Sequence, residues 1–358
     1  MHKDNENVPL PVWTTDEPED PAPAPFALDQ MVRCDECLRA NPPTRVNCLY
    51  CAAVLPHNET SVNLQKPALR PLEKWEHGYN NILLPPVANL TPSDLAETAD
   101  LLRLRPDDLS RILTSETPLP LARAATIDEA QLVQRRLKLL GIDSSIMPDA
   151  EPGTDSSAAV KVRALEIDES GIYAYQSPEA PFIRANWSDF VLLVAGRVIG
   201  KRVEMKERKG TRAEDSILDS SQFFTDEIVA DLYLRSQALP FRFAANSFDF
   251  SCLEADKGLL AGENIAKLLQ LLRERATDVA YDDSFNSVRK ILEPVWPSEQ
   301  QNESSGWRRD RPGKYSIGSI MELTNEVQFS RYSRLRHHLL TAGRQTSQKK
   351  ILDEPGEI

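Results

Sequence analysis

The sequence predicts a multidomain protein of the mixed α+β class, and three observations lead to this prediction. The N-terminal part contains two Cys-x-x-Cys pairs, residues 80–149 alternate short apolar runs with amphipathic helices, and residues 160–296 begin with the alternating apolar pattern of β-strands. The 358 residues are enough for two or three domains. The 26 prolines, against 14 glycines, indicate Pro-rich connections between these domains.

Charge and hydropathy indicate which partners and which location to expect. The net charge is -12, with 54 acidic and 42 basic residues, and such a surface does not favour phosphate backbones. We therefore expect protein partners rather than DNA. The chain shows no secretory signal segment at its start and no run of about 18 apolar residues, so we expect a cytoplasmic protein without a transmembrane segment.

The N-terminal arm, residues 1–30, combines many acidic residues and prolines with the single basic residue Lys3. Its few apolar side chains cannot offset the entropy that ordering would cost. The sequence therefore predicts a disordered arm.

Residues 31–56 carry the strongest chemical signal, because Cys34, Cys37, Cys48 and Cys51 follow the pattern C-x2-C-x10-C-x2-C. In a reducing compartment this pattern is more often a metal site than a disulfide framework. Four thiolates at about 2.3 Å from one zinc ion form a closed tetrahedral site without a position for water. We expect one Zn²⁺ ion with a structural role.

With Asn41 between the pairs, this motif resembles the short zinc ribbons of bacterial proteins and the zinc fingers named after the Ran-binding nuclear-pore protein. Those fingers often carry a Trp where this chain has Val32, and their ubiquitin-binding members have Thr-Phe where it has Leu38 and Arg39. Both differences favour the plain ribbon. Groups that single-stranded RNA could bind are also present, namely Arg33, Arg39, Arg45 and Tyr50. We expect a structural or protein-docking module instead.

Residues 57–79 are polar and interrupted by prolines, which predicts a linker. Residues 80–149 then predict strand, helix, helix, strand, helix, strand, with Thr91 and Thr126 as N-caps. This order, and the segment "PLPLARAATIDEAQLVQRRLKLLGIDSSI", resembles the C-terminal domain of the bacterial ribosomal stalk protein. That family contacts translation factors through a Gly- and Lys-rich helix start. This chain has "LRLRPDDLSRIL" there, so the resemblance implies the fold and not the partner.

After a second linker at 150–159, several short strands and a helix from Gly262 to Ala276 predict a small, partly open barrel that the helix covers. The helix carries its apolar residues, among them Ile265 and Leu268, on one face. This domain resembles the pleckstrin-homology superfold through a set of five residues: Gly171, Tyr173, Trp187, Asp189 and Phe190. Lipid-binding members have basic residues in the turn that reads "DESG" here, so no phosphoinositide ligand is implied.

We predict a third linker at 297–315, a C-terminal helix at 316–342 and a tail at 343–358. On the helix, Tyr332, Leu335 and Leu339 share one face, which we expect to pack on the barrel rather than on a membrane surface. The adjacent His337 and His338 point to different faces of a helix and cannot bind one metal together.

The sequence predicts no enzyme. It contains no Gly-rich phosphate loop and no histidine-based arrangement around a nucleophile, and Cys252, between Phe248 and Leu253, is expected to fill apolar space. Our leading hypothesis is a bacterial, cytoplasmic, non-enzymatic adaptor that mediates protein–protein interactions. The alternatives are an RNA- or ribosome-associated accessory factor and, third, an enzyme with an unrecognised active site in a cleft of the barrel domain.

Overall fold

The protein is a mixed α+β structure that divides into two compact units, residues 1–66 and 67–358. A computed structural model describes residues 26, 31–43, 45, 48–53, 55–56, 67–73, 75–87, 90–149, 159–209, 216–311 and 314–353. In 206–209, 216–219, 305–311, 314–317 and 344–353 the description is of the backbone alone. Apart from residue 26, the predicted disordered arm lies outside the described residues, as do residues 57–66 of the first predicted linker and most of the linker at 150–159.

The first unit contains a two-stranded antiparallel ladder, β1 (Val32–Arg33) and β2 (Ala40–Asn41). Val32 pairs with Asn41, and Arg33 pairs with Ala40. Among the residues that the structure describes in this unit, the buried apolar side chains form a very small cluster: Val32, Cys34, Cys48 and Leu55. Because so small a core cannot offset the entropy of folding, the unit needs a further source of stability.

The second unit begins with a three-stranded antiparallel sheet that three helices accompany. The elements are β3 (Tyr79–Leu83), α1 (Pro92–Leu102), α2 (Pro106–Thr114), β4 (Pro120–Ala124), α3 (Ile127–Leu139) and β5 (Ser144–Pro148). The strand order is β4-β3-β5. Thr91 Oγ1 accepts a hydrogen bond from Asp94 N, and Thr126 Oγ1 accepts one from Glu129 N, so both predicted N-caps are present. The order of elements is the one that the sequence predicts.

A curled half-barrel sheet follows. Its strands and the accompanying helices are β6 (Val160–Val162), β7 (Ala164–Ile167), β8 (Gly171–Tyr175), β9 (Ile183–Asn186), β10 (Phe190–Lys209), β11 (Ser216–Leu234), β12 (Phe241–Ala244), α4 (Ala261–Arg275), β13 (Ala280–Asp282), α5 (Phe285–Leu292), β14 (Glu299–Arg311), β15 (Lys314–Thr324) and α6 (Glu326–Asp353). Three 3-10 turns lie at Trp187–Asp189, Ala245–Ser247 and Phe250–Asp256. The large sheet has the order β14-β15-β10-β11-β12-β6, with β13 beside β10, and β7-β8-β9 form a separate sheet. The apolar face of α4 contributes Ile265 and Leu268 to the half-barrel core.

Gly171 is the residue that the backbone geometry of this region most clearly requires. A Cβ atom at Gly171 would lie only 2.0 Å from the carbonyl oxygen of Ala185 on the neighbouring strand. Close by, Trp187 Nε1 donates a hydrogen bond to the carbonyl oxygen of Glu169 at 3.2 Å, and Asn186 N donates one to Asp189 Oδ2 at 3.3 Å. The predicted Gly, Trp and Asp residues thus fix one turn of the half-barrel.

The structure differs from the prediction at the C-terminal end. Residues 299–311, assigned to a linker, form strand β14, and the helix expected from residue 316 begins only at Glu326. The helix continues to Asp353, through most of the predicted tail. The sequence of β14 is polar and contains Gly306, but β15 supplies its ladder partners, and β10 supplies those of β15. Pairing with neighbouring strands overrides weak intrinsic strand propensity.

The hydrophobic core of the second unit extends across the predicted domain boundaries. One cluster joins side chains of β3 and α3 to side chains of α5 and α6. Trp296 is fully buried, and its Nε1 donates a hydrogen bond to Asn80 Oδ1 at 2.8 Å. From the predicted linker 57–79, Leu69 packs on the same core, and its N–H donates to Glu129 Oε1 at 2.7 Å. Residues 67–79, 80–149 and 160–340 therefore form one packed unit instead of separate modules on linkers.

Asp149 connects residue 78 with strands β3 and β4 of the three-stranded sheet. Its carboxylate accepts hydrogen bonds from Gly78 N at 2.8 Å, Asn80 Nδ2 at 2.9 Å and Arg123 Nε at 2.8 Å. Burial raises the pKa of Asp149, but the hydrogen bonds and charge of Arg123 and the bonds from Asn80 and Gly78 outweigh it, so the pKa is lowered. The charged form is therefore the one that the folded state stabilises.

We expect Asp149→Asn to lower the Tm of the second unit at pH 7, because hydrogen bonds to a charged group contribute about 1.5–3 kcal/mol. The folded-state pKa lies below the unfolded one, so this stabilisation is present above the unfolded pKa of about 3.9 and is lost as the pH falls below it. Melting curves of wild type and variant from pH 7 to pH 3 measure the effect. The Tm difference should narrow on acidification, and Asp143→Asn, at an exposed aspartate, is the control for replacing a surface carboxylate. A constant difference would contradict this account.

Candidate metal centre and ribbon surface

The four predicted cysteine ligands come together at one point of the first unit. Their Sγ atoms all lie within 4.8 Å of one another, with Cys34 and Cys51 at 3.6 Å and Cys37 and Cys48 at 3.5 Å. Four thiolates around one ion at about 2.3 Å have sulfur–sulfur separations of about 3.8 Å. The cysteines are thus positioned to coordinate one metal ion.

Two similar turns hold the sulfur atoms in place. In the first, Leu38 N donates to the carbonyl oxygen of Cys34 at 2.9 Å, and in the second Ala52 N donates to that of Cys48 at 3.1 Å. Each turn places the residue after its second cysteine in the left-handed conformation, with φ of 60° at both Leu38 and Ala52. The Cys-x-x-Cys spacing therefore specifies the local backbone as well as the ligands.

Asn41, the residue that the motif singled out, is fully buried beside the sulfur atoms. Its Nδ2 donates to Cys48 Sγ at 3.4 Å and to the carbonyl oxygen of Arg39 at 2.9 Å, and its Oδ1 accepts from Leu49 N at 2.8 Å. Asn41 thus ties both turns together. It also satisfies one sulfur directly, which favours the thiolate that a metal requires.

The thiols differ in their readiness to ionise. Burial raises the pKa of Cys48, but hydrogen bonds from the backbone N–H groups of Tyr50 and Cys51 outweigh it and lower the pKa to about 6. A backbone hydrogen bond from Ala53 lowers the pKa of Cys51, yet burial and the neighbouring sulfur atoms raise it to about 12. In a crowded cluster of four sulfur atoms, a positive ion is what allows all of them to be deprotonated together.

The outer surface of the two turns is apolar and aromatic. Leu38 is 64% exposed, Tyr50 is 56% exposed, and Leu49 is also exposed. The guanidinium of Arg39 lies over the ring of Tyr50, 4.7 Å from its centroid. We call these four residues, Leu38, Arg39, Leu49 and Tyr50, the ribbon surface. Of the four groups that single-stranded RNA could bind, the structure brings Arg39 and Tyr50 into contact.

The exposure of Leu38 is not apparent from the sequence. There Leu38 serves only to distinguish the plain ribbon from ubiquitin-binding fingers, whereas the structure shows an exposed leucine with a positive φ. The available signal was its position directly after the second cysteine of a pair, where the turn requires a positive φ that glycine adopts without strain.

The remaining candidate residues have structural surroundings. Cys252 is half-buried, and burial raises the pKa of its thiol to about 11, so it stays protonated at neutral pH. His337 stacks on Tyr233 with ring centroids 4.3 Å apart. On the predicted apolar face of the last helix, Tyr332 and Leu335 are fully buried, and Leu339 packs against the same core. No helix within the described ranges is long and apolar enough to cross a membrane.

Comparison with known protein families, with curated proteins and with solved structures finds no match for this chain. The candidate functions therefore rest on the geometry of the chain itself.

Proposed function

We propose that this protein is a non-enzymatic adaptor that binds a protein partner through the ribbon surface, and that a structural zinc ion holds this surface together. The observation that carries the proposal is Leu38, a large apolar side chain that is exposed at a position where the backbone favours glycine. The resemblances of residues 80–149 to the ribosomal stalk domain and of 160–278 to the pleckstrin-homology superfold belong to this proposal as its expected architecture.

Zinc fits the donor set best. Four thiolates are soft ligands, and the tetrahedral arrangement that they form is typical of structural zinc sites. Cys34, Cys37, Cys48 and Cys51 would hold the ion, which would cross-link the two turns and supply folding energy that the small apolar cluster lacks. Asn41 would support the site from the second layer of contacts.

Leu38 is unfavourable in the free chain for two reasons, its backbone conformation and its exposure. A residue with a Cβ atom in the left-handed conformation is destabilised by about 1–2 kcal/mol relative to glycine. Leu38 is also mostly exposed, so burial within the described residues does not offset this strain. A partner with an apolar pocket would offset it, because burying a leucine side chain contributes about 1.5–3 kcal/mol.

The neighbours of Leu38 suit the same purpose. Tyrosine and arginine are enriched among the residues that dominate binding energy in protein interfaces. Arg39 is held over Tyr50 by a cation–π contact, so little side-chain entropy remains to be lost on binding. The partner surface that fits is an apolar pocket for Leu38 with a carboxylate near Arg39.

Replacing Leu38 by glycine separates binding from folding. We expect Leu38→Gly to leave the ribbon at least as stable as wild type, because the strain is relieved. The same variant should weaken the affinity for the partner at least about tenfold. Tagged full-length protein would be used for affinity capture with quantitative mass spectrometry, followed by binding measurements with each purified candidate. Leu259→Gly is the matched control, since Leu259 is a fully exposed leucine elsewhere in the chain.

The adaptor function would be supported by a captured protein that no longer binds the Leu38→Gly and Tyr50→Ala variants but still binds Leu259→Gly. The same captured proteins at the same levels for all variants would overturn it.

A second function, RNA binding, is favoured by the stacked pair of Arg39 and Tyr50 alone. In that case the captured material would be sensitive to ribonuclease, and Arg39→Glu would abolish binding. The affinity would also fall steeply with salt, because binding to phosphates releases counterions. Binding that resists ribonuclease and depends weakly on salt assigns the surface to a protein partner.

A further inference from the structure

The second unit contains a cavity of about 320 Å³ that is independent of the ribbon surface. Residues 69–73, the loop after α1, strand β4 and the segment between α5 and β14 form its walls. Helix α6 contributes a single side chain, that of Arg331. The cavity therefore lies where segments distant in sequence meet.

Arginine side chains are concentrated at this cavity. Four arginines line it, Arg70, Arg103, Arg123 and Arg331, against the two acids Glu73 and Glu299. Arg70 and Arg123 are neutralised by acids outside the lining, so the positive charge available to a ligand comes from the other two arginines. A guanidinium in a concave, partly apolar site attracts anions.

Arg331 differs from Arg70 and Arg123 in its lack of a partner among the described residues. Arg70 forms an ion pair with Glu76, and Arg123 forms one with Asp149. Arg331 is half-buried and has neither an ion-pair nor a hydrogen-bond partner among the residues that the structure describes. Burial lowers its pKa, and the positive charge of Arg123 lowers it further, against the weaker opposing influence of Asp149 and Glu299.

A half-buried guanidinium without a partner is costly, because it has lost part of its hydration without gaining a hydrogen bond in return. The cavity places this group behind apolar walls formed by Leu69, Leu72, Leu102, Leu104, Leu121 and Val295.

We infer that this cavity binds a small organic anion, in which an oxyanion group such as a carboxylate or phosphate contacts Arg331 and an apolar body fills the space between the leucines. The planar fork of an arginine matches both oxyanions. The volume, at the lower end of the range for small-molecule sites, suits a molecule rather than a folded partner. This inference is separate from the adaptor function, since its residues lie in the other unit.

The test uses the full chain in chloride buffer, with sodium octanoate, hexyl phosphate, acetate and inorganic phosphate as probes. Isothermal titration and the Tm of the second unit are the two readouts. We expect saturable binding of octanoate or hexyl phosphate, at least about tenfold tighter than acetate or inorganic phosphate, because each buried CH₂ adds to the affinity. Whichever of the two longer probes binds more tightly identifies the oxyanion.

Arg331→Gln should weaken that binding at least about tenfold, and in chloride buffer without a probe it should raise the Tm, because it removes an unpaired charge beside Arg123. Arg334→Gln is the matched control, since Arg334 lies one turn further along the same helix and does not line the cavity. Equal affinities for wild type and Arg331→Gln would overturn the inference, as would equal affinities for octanoate and acetate. Absence of saturable binding by all four probes to the wild type would overturn it without reference to any variant.

Discussion

Removal of the metal is expected to unfold residues 31–56 while the second unit stays folded. The apolar cluster of the first unit consists of four small or medium side chains, two of them cysteines. The apparent free energy of binding structural zinc, about 10–16 kcal/mol, would therefore be the main term that keeps this unit folded. The second unit has two extensive cores of its own, which contain no predicted zinc ligand.

Hydrogen exchange measured by mass spectrometry would follow both units in one experiment. After treatment with a zinc chelator, peptides within 31–56 should lose protection, and peptides from the second unit, such as β3, should keep it. Cys37→Ser should have the same effect without chelator, because three thiolates hold the ion much less tightly. Cys252→Ser is the matched control, since Cys252 lies in the second unit and is no ligand.

Restoring zinc after chelation should restore the protection, as expected when binding and folding are coupled. Loss of protection throughout the chain would show that the two units fold only together. Full protection of residues 31–56 without metal would remove zinc from the proposed function.

The metal site could be predicted from sequence because its information is local. Two Cys-x-x-Cys pairs specify both the ligands and the turns that carry them, and the structure brings their sulfur atoms together. The ribbon surface was harder to predict. The positive φ at Leu38 follows from the first Cys-x-x-Cys turn, but its exposure depends on how the second turn folds beside the first, and residue type does not encode that.

The helices and short strands of residues 80–149 were also predictable, because capping residues and a helical apolar period mark them. The strand β14 was not. Its ladder depends on β15, which in turn pairs with β10 about a hundred residues earlier in the chain. The core that joins residues 80–149 to helices α5 and α6 could not be predicted for the same reason. The hydrogen bond between Trp296 and Asn80, for example, spans 216 residues of sequence. Contacts at such separations leave no periodic signal.

Buried ion pairs are likewise invisible to sequence patterns, because their charges look like those of a solvated surface. Arg242 forms the deepest such pair in the part of the chain described. Its Nε and Nη2 atoms donate to the two carboxylate oxygens of Asp231 at 2.7 and 2.8 Å, and Asp231 is only 1% exposed. On the other side, Arg242 donates to Ser330 Oγ at 2.9 Å and lies 5.3 Å from the centroid of the Phe329 ring. The pair thus connects strands β11 and β12 to helix α6.

Replacing Arg242 by leucine should destabilise the second unit by about 3–5 kcal/mol, because the carboxylate of Asp231 would remain buried without a partner. Burial alone would lower the pKa of Arg242, but the charge of Asp231 raises it above the ordinary value. Arg242 therefore stays charged in the wild type across the accessible pH range. Urea unfolding, followed by the signal of the second unit, gives the free energy.

The double replacement Asp231→Leu with Arg242→Leu should recover most of the lost stability, since no charge then stays buried. As a matched surface pair, Lys257 and Asp249 lie 3.3 Å apart and are both exposed, and Lys257→Leu should change stability by less than about 0.5 kcal/mol. If the double variant were as unstable as the single one, desolvation of Asp231 would not be the cause. The loss would then belong to the contacts of Arg242 with α6, and the link between half-barrel and helix would rest on Glu326, Ser330 and Phe329 instead of on the pair with Asp231.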